Sequence, residues 1–217
     1  MAKKNTVAQT QTLELASISP KTVTVTIVGD SDLILNKMND STRMALTNQR
    51  KNKAKDVSEE KNIWEQIITS MHWINGKPED LSEKGLEEAL KNNAPCLTAF
   101  GLKQSFKQAL TRNKIATYST EFDATMNVIG KGDGLVPIKF AEHTVDEKLM
   151  SPKKGSPVLV YLNRFSGWSA EISISYLENV YSLEQIVNII NLAGFGLGIG
   201  SGRTSGYGRY HVENVVG

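Results

Sequence analysis

The chain has 217 residues and a formal net charge of +2, with 40% hydrophobic and 22% charged residues. This length allows one sizeable domain or two small ones, and the composition is ordinary for a soluble globular protein. No stretch approaches the roughly 20 apolar residues that cross a bilayer, and the basic N-terminus lacks the apolar core of a secretory signal. A single cysteine, Cys96, excludes an intrachain disulfide framework. We therefore expect a cytoplasmic protein without membrane, metal or cofactor sites.

The first part of the chain predicts a strand followed by a long insertion. Residues 1–19 are polar and predict a flexible N-terminal arm, and we expect 20–217 to form a single domain. Thr22–Val28 alternates Thr with Val or Ile, the period of a half-buried strand. After the short apolar segment 33–35, residues 36–57 form a basic excursion, whose charge can serve a nucleic acid locally even though the net charge is small. Its candidate phosphate contacts are Arg50, Lys51, Lys53 and Lys55.

Two helices are predicted in the middle of the chain. Ser58 resembles a helix cap, and apolar residues at helical spacing continue to Met71. Residues 81–93 are interpreted as a surface segment. A second helix is predicted over 98–113, where Lys103 and Lys107 line up on a face separate from its apolar face. That lysine face is either simply solvated or in contact with phosphates.

The second half predicts strands around a third helix. Strand-like segments occur at 125–129 and 136–140, a buried strand at 158–162, and a half-exposed strand after Trp168. Ser182–Gln185 has the sequence of a capping box that opens a helix, and 210–213 closes the chain as a strand. The resulting order, β-α-β-β-α-β with a long insertion after the first strand, predicts an α+β fold of the ferredoxin-like or RNA-recognition-motif type.

A glycine-rich loop is predicted at 194–208, which holds seven of the seventeen glycines of the chain. Glycine has the largest backbone entropy to lose, so such a cluster indicates either positive-φ turns or close approach of the backbone to a ligand. The order helix–loop–strand excludes a P-loop and a dinucleotide fingerprint, which both run from strand to helix. Arg203, Tyr207 and Arg209 within the run suit a phosphodiester chain with stackable bases.

These motifs resemble the RAMP superfamily, the RNA-recognition-motif proteins that form the backbone of CRISPR effector complexes. The chain is similar in more detail to a group of tailed-phage proteins, which would place it in the host cytoplasm. The shared features are the apolar segment 32–36, the basic stretch before a Trp-bearing helix (50–73), the Trp-Ser-Ala segment 168–170 and the ending Gly198–Arg209.

In RAMP proteins the glycine loop approaches the nucleic-acid backbone, which is what the resemblance implies here. The positions carried over are Gly198, Gly200, Gly202, Arg203, Gly206 and Arg209. The phage proteins often have a Trp-Arg-Pro type of segment where this chain has Ser201–Ser205, so the resemblance gives more weight to Arg209 than to Arg203.

The resulting hypothesis is a non-catalytic protein that binds single-stranded DNA or RNA through its backbone, with little sequence preference, as a multimer or filament. Lys103, Lys107 and Arg209 would contact phosphates, and Trp168 and Tyr207 would stack on bases. One alternative is a structural or interaction protein, such as a subunit mimic or counter-defence factor, without a nucleic-acid ligand. Another is a metal-independent ribonuclease that uses His143 or His211 as general base.

Overall fold

A computed structural model of the chain describes residues 18–38, 62–115, 120–150 and 158–217. Most of the predicted N-terminal arm and most of the basic excursion lie outside these ranges, and so do Arg50, Lys51, Lys53 and Lys55. Within the described part of the chain, none of the helices is both long and apolar enough to cross a membrane.

The described residues form two antiparallel sheets and five α-helices. The larger sheet has seven strands: β1 (Pro20–Gly29), β3 (His72–Trp73), β4 (Pro95–Thr98), β5 (Met126–Ile129), β6 (Leu135–Lys139), β9 (Ser169–Leu177) and β10 (Tyr210–Val216). The smaller sheet has three: β2 (Leu33–Leu35), β7 (Glu142–Met150) and β8 (Val158–Ser166). The helices are α1 (Ile63–Thr69), α2 (Glu83–Asn92), α3 (Ala99–Arg112), α4 (Thr120–Thr125) and α5 (Leu183–Gly196). This mixed architecture confirms the predicted α+β class.

Strand β1 lies next to the edge strand β10 of the larger sheet, between β10 and β9. The spatial order is β10–β1–β9–β6–β4–β3, and β5 pairs with β9 as well. The alternation seen in the sequence of β1 is confirmed, since Val23, Val25 and Ile27 are buried while the threonines between them are half-buried. Strand β9 alternates in the same way, and its partner register sets Ile172 opposite Val25.

Helices α3 and α5 pack on each other, and α5 also packs on β10. Both begin where the sequence supplies a cap. The Thr98 hydroxyl accepts a hydrogen bond from the Gly101 amide at 3.0 Å, and Ser182 and Gln185 form the predicted capping box. Phe106 of α3 and Ile190 of α5 are completely buried in the core between the helices and the sheet.

Five features of the structure differ from the sequence-based expectations. The segment predicted as surface contains helix α2, which Ser82 caps and whose Leu86 and Ala89 are buried. The short helix α4 and the long strand β7 were not predicted. Strand β8 in the smaller sheet was expected to be buried, but it is only partly buried, as its Leu159 is 42% exposed. Helix α5 continues through Gly194 to Gly196, so the glycine-rich loop comprises 197–209 rather than 194–208.

Candidate nucleic-acid interface

The glycine-rich loop (197–209) turns repeatedly through the left-handed backbone region. Gly198, Gly200, Gly202, Gly206 and Gly208 all have positive φ, and a 3-10 turn at Arg203–Ser205 lies between two of them. Residues other than glycine adopt this region at a steric cost, because their Cβ comes close to the backbone. The loop therefore needs its glycines for its own path, whatever it binds.

Several of these glycines also allow the chain to approach itself. A Cβ on Gly198 would lie 2.7 Å from the Gly208 carbonyl oxygen, and one on Gly200 would lie 2.5 Å from the Ile34 carbonyl oxygen. A Cβ on Gly206 would meet no atom within 4 Å. The predicted close approach at Gly198 and Gly200 is thus to the protein backbone, and the open face of the loop is at Gly202 and Gly206, which are exposed.

The turn between β1 and β2 holds the loop in place. The Ser31 hydroxyl donates to the Gly206 carbonyl at 2.8 Å and accepts from the Arg209 amide at 2.9 Å. The Gly208 amide donates to the Asp32 carbonyl, and the Ser201 amide to the Ile34 carbonyl, each at 2.8 Å. Since these contacts join segments far apart in sequence, the loop is a preformed part of the fold.

Arg209 contributes its guanidinium to the same loop. Nη1 donates to the Phe195 carbonyl at 2.9 Å and Nη2 to the Arg203 carbonyl at 3.4 Å. Two acids on neighbouring strands, Glu171 and Glu213, do not pair with it, and Glu171 pairs with Lys139 instead. Arg209 therefore joins the end of α5 to the 3-10 turn, and its fork is partly occupied by carbonyls.

Arg203 is placed differently. Its side chain is exposed at the 3-10 turn and forms neither a hydrogen bond nor an ion pair with another described residue. It also borders a groove of about 350 Å³ beside the loop. Of the two loop arginines, Arg203 is the one whose guanidinium has no hydrogen-bond or ion-pair partner among the described residues.

The groove lies where the loop, helix α3 and the residues after β2 meet. Its sides are the loop residues Ile199–Ser201, the segment Ile34–Lys37 and four residues of α3, and its floor includes Met71 and Leu97. The α3 residues are Gly101, Gln104, Ser105 and Gln108. The Lys37 amide donates to the Ser70 carbonyl at 2.6 Å, which fixes the segment after β2 against the end of α1. The groove thus joins a cation-bearing edge to an apolar floor.

The predicted lysine face of α3 is occupied by partners within the fold. Lys103 Nζ donates to the Asp123 carbonyl at 2.9 Å and to Asn127 Oδ1 at 2.8 Å, and Lys107 forms an ion pair with the Asp123 carboxylate. These lysines do not line the groove, whose α3 side carries Gln104 and Gln108. The structure therefore separates Lys103 and Lys107 from the glycine-rich loop.

The prediction that Trp168 stacks on bases is wrong. Its side chain is 0% exposed, its Nε1 donates to the Ser31 carbonyl at 2.8 Å, and its ring meets Tyr210 edge-on. Tyr207 is half-buried, with its ring beside Gly202. Phe195, at the end of α5, is 84% exposed and was missed because it lies inside the glycine run 194–208, which predicted a loop rather than the last turn of a helix.

The three histidines have different surroundings. His211 Nδ1 lies 2.6 Å from Asp30 Oδ1 at an exposed position. His143 Nε2 lies 2.8 Å from Asn163 Oδ1, and burial lowers the pKa of His143. Burial, together with the charge of Lys37, lowers the pKa of His72, which borders the groove. No group of three or more metal-ligating side chains occurs among the described residues.

The described residues thus form an α+β fold with a preformed glycine-rich loop. At the level of sequence, no protein-family model and no curated protein matches the chain. Two of the solved structures that the chain matches are the following. One is a chain of the cryo-EM structure of the type III-B Cmr-beta bound to cognate target RNA, with a TM-score of 0.51, 14% identity and coverage of 91% of this chain. The other is the crystal structure of Cmr6 from Pyrococcus furiosus, with a TM-score of 0.43, 10% identity and coverage of 90% of this chain.

This chain spans 60% of the length of the Cmr-beta chain and 98% of the length of Cmr6. Its similarity to the Cmr-beta chain is one of fold, because the sequences are 14% identical. The likeness to the Cmr-beta chain confirms the resemblance at the level of fold.

Proposed function

We propose that this protein binds single-stranded DNA or RNA, without cleaving it, across the glycine-rich loop and the adjacent groove. The observation that carries the proposal is the free guanidinium of Arg203 on a preformed loop, at the edge of a groove that also borders Lys37. The backbone that carries Arg203 is already ordered, and its guanidinium has no described partner to give up, so it can donate to a phosphate. The fold neighbour bound to target RNA supports a nucleic acid as the ligand.

Two aromatic side chains at the loop supply the other contacts. The Phe195 side chain is exposed, and Arg209 binds the carbonyl of the same residue. The Tyr207 ring is half-buried and lies beside Gly202, the residue just before the 3-10 turn. Aromatic faces stack on any base, at about 1–3 kcal/mol per base, so binding there is tolerant of sequence. Gly202 and Gly206 leave the loop backbone open to a phosphate.

The direct test is fluorescence anisotropy with labelled thymidine and uridine oligomers of about 20 residues at low and moderate salt. We expect binding at micromolar protein or below, with affinity that falls steeply as salt rises because counterions are released. Phe195→Ala should weaken binding by about 1–3 kcal/mol, whereas Phe100→Ala, at another exposed phenylalanine, should not. Absence of binding to both oligomers would refute the proposal.

The second candidate is a structural or interaction protein without a nucleic-acid ligand. It is favoured by the number of cations that pair inside the described fold. These pairs are Lys21 with Glu178, Lys107 with Asp123, Lys139 with Glu171, and Arg164 with Asp146. Such a protein would keep its size and its captured partners after nuclease treatment, which light scattering and pull-down from lysate would show.

We also propose that bound strands lengthen assemblies of this protein. Head-to-tail contacts that do not close on themselves grow into filaments, and the loop lies at one end of helix α5 where a neighbouring subunit can share a strand. Size-exclusion chromatography with and without a long oligonucleotide tests this. A monomer-sized complex under both conditions would refute assembly while leaving strand binding intact.

A further inference from the structure

The groove beside the glycine-rich loop has an interior that suits a flat, uncharged ring with polar edges. Met71, Cys96 and Leu97 are buried under it and make its floor apolar. Gln104 and Gln108 border it from successive turns of α3, and residues four apart lie on one face of a helix. Neither side-chain amide hydrogen-bonds another residue in the described part of the chain. The side-chain amides of Gln104 and Gln108 therefore lie beside an apolar surface, and their donors and acceptors are not bonded to other described residues.

The charges of the groove are confined to its edge. Lys37 and Arg203 both border it, and the Lys37 charge contributes to the lowered pKa of His72, so the ammonium lies close to that ring. Burial, together with the charge of Lys37, lowers the pKa of His72 on the groove wall, which favours its neutral form. A neutral interior with a cationic edge matches a nucleotide, whose base is neutral and whose phosphate is an anion.

The size of the groove limits what enters it. At about 350 Å³ it lies near the lower end of small-molecule sites, which run from about 300 to 1,000 Å³. Such a volume accommodates a base with part of its sugar. Proteins that recognise single strands turn individual bases outward and hydrogen-bond their edges.

We propose that the groove takes one base turned out of the bound strand, and that Gln104 and Gln108 read its edge with a preference for adenine. This inference rests on the proposed strand binding and adds one selective position to an otherwise sequence-tolerant contact. The carboxamide of glutamine matches adenine, because its oxygen accepts from the exocyclic amine and its NH₂ donates to the ring nitrogen.

The experiment compares two labelled strands of about 20 residues, one of thymidine alone and one with adenine at every fourth position. We expect the wild-type protein to bind the adenine-containing strand about tenfold more tightly, which is the range of one bidentate base contact. The variant Gln104→Leu/Gln108→Leu should bind both strands with the affinity that the wild type has for thymidine alone. Asn188→Leu, an exposed amide on α5 outside the groove, is the matched control and should keep the preference.

The outcomes separate this inference from the proposed function. If neither strand binds, the proposed function fails and the inference fails with it. If both strands bind equally well to the wild type, or if the double variant keeps the preference, strand binding stands and base reading is overturned. Circular dichroism melting of the double variant shows whether it is folded, and Gln108→Leu alone repeats the test if it is not. Saturable binding of adenosine monophosphate at micromolar concentration, with equal binding of both strands, would assign the groove to a free nucleotide and overturn base reading, while strand binding stands.

Discussion

The glycine-rich loop and the lysine face of α3 both carry cations that the sequence marks as phosphate contacts, and they differ in what those cations do. On α3, Lys103 and Lys107 meet Asp123 and Asn127, so their charge is satisfied by the neighbouring α4–β5 segment. At the loop, Arg203 is exposed and without a described partner because backbone hydrogen bonds, rather than acids, fix the turn that carries it.

The comparison shows that the number of cations in a segment says little about the positive electrostatic potential at its surface. On the lysine face an acid that is distant in sequence pairs with Lys107, and neutral oxygens bind Lys103, whereas the loop is held by carbonyls, amides and one hydroxyl. Backbone groups hold the loop without neutralising Arg203. The predictions below test this difference, from the largest expected effect to the smallest.

Gly208→Ala is expected to be the most damaging change. Gly208 has φ +68° and its Cβ would lie 1.9 Å from the Ile199 carbonyl oxygen, so strain and overlap together should cost about 2–5 kcal/mol of unfolding free energy. Gly206→Ala is the control, since it has φ +88° but open space, and should cost about 1–2 kcal/mol. Urea denaturation measures both. Equal losses would show that close packing does not fix the loop.

The double variant Lys37→Ala/Arg203→Ala tests the groove edge. Each removed phosphate contact should weaken strand binding by about 1.5–3 kcal/mol, and the salt slope should flatten by about two units. Lys103→Ala/Lys107→Ala should leave binding almost unchanged and lower stability by at most about 1 kcal/mol, since that ion pair is partly exposed. Anisotropy titrations at several salt concentrations separate the two. A larger affinity loss from the lysine-face variant would reverse the comparison.

Arg209→Lys separates charge from geometry at the loop. Lysine keeps the positive charge but cannot span the Phe195 and Arg203 carbonyls as the guanidinium fork does. We expect the unfolding free energy to fall by about 1–2 kcal/mol while the salt slope of binding is retained. Arg209→Ala should lower stability similarly and also flatten the slope by about one unit. A stable Arg209→Lys protein with weakened binding would instead make the guanidinium a direct ligand contact.

A buried polar network contacts Ser70, which lines the groove, and we expect its contribution to stability to vary with pH. Asn163 donates to the Ile67 carbonyl and the Ser70 hydroxyl and meets His143. Because burial lowers the pKa of His143 in the folded protein, the unfolded chain takes up its proton first as pH falls. Stability should therefore drop as pH decreases from about 7 through the ordinary histidine value of about 6.5, and level off below the folded pKa.

His143→Gln isolates this contribution, because glutamine can donate to Asn163 Oδ1 without titrating. We expect its melting temperature to fall less between about pH 7 and pH 5 than that of the wild type. The remaining dependence includes His72, whose pKa is also lowered. Identical pH profiles would exclude His143 as a source of acid sensitivity.

Local patterns of the sequence determined much of the fold. The alternation of β1 and β9, the stripe of α3 and the capping box of α5 predict elements that are present, since each signal depends on residues a few positions apart. Helix α2 was missed because a short segment with many charges resembles a surface loop, although Leu86 and Ala89 lie at helical spacing.

The candidate site depended on tertiary structure. Glycine content predicted turns, but the sequence does not show that Gly198 and Gly200 face the protein backbone while Gly202 and Gly206 are exposed. Nor does it show that Trp168 is buried against Tyr210 or that Asp123 satisfies Lys107. Exposure and charge pairing are set by residues distant in sequence, and only the folded chain brings Arg203, Lys37 and Gln104 to one groove.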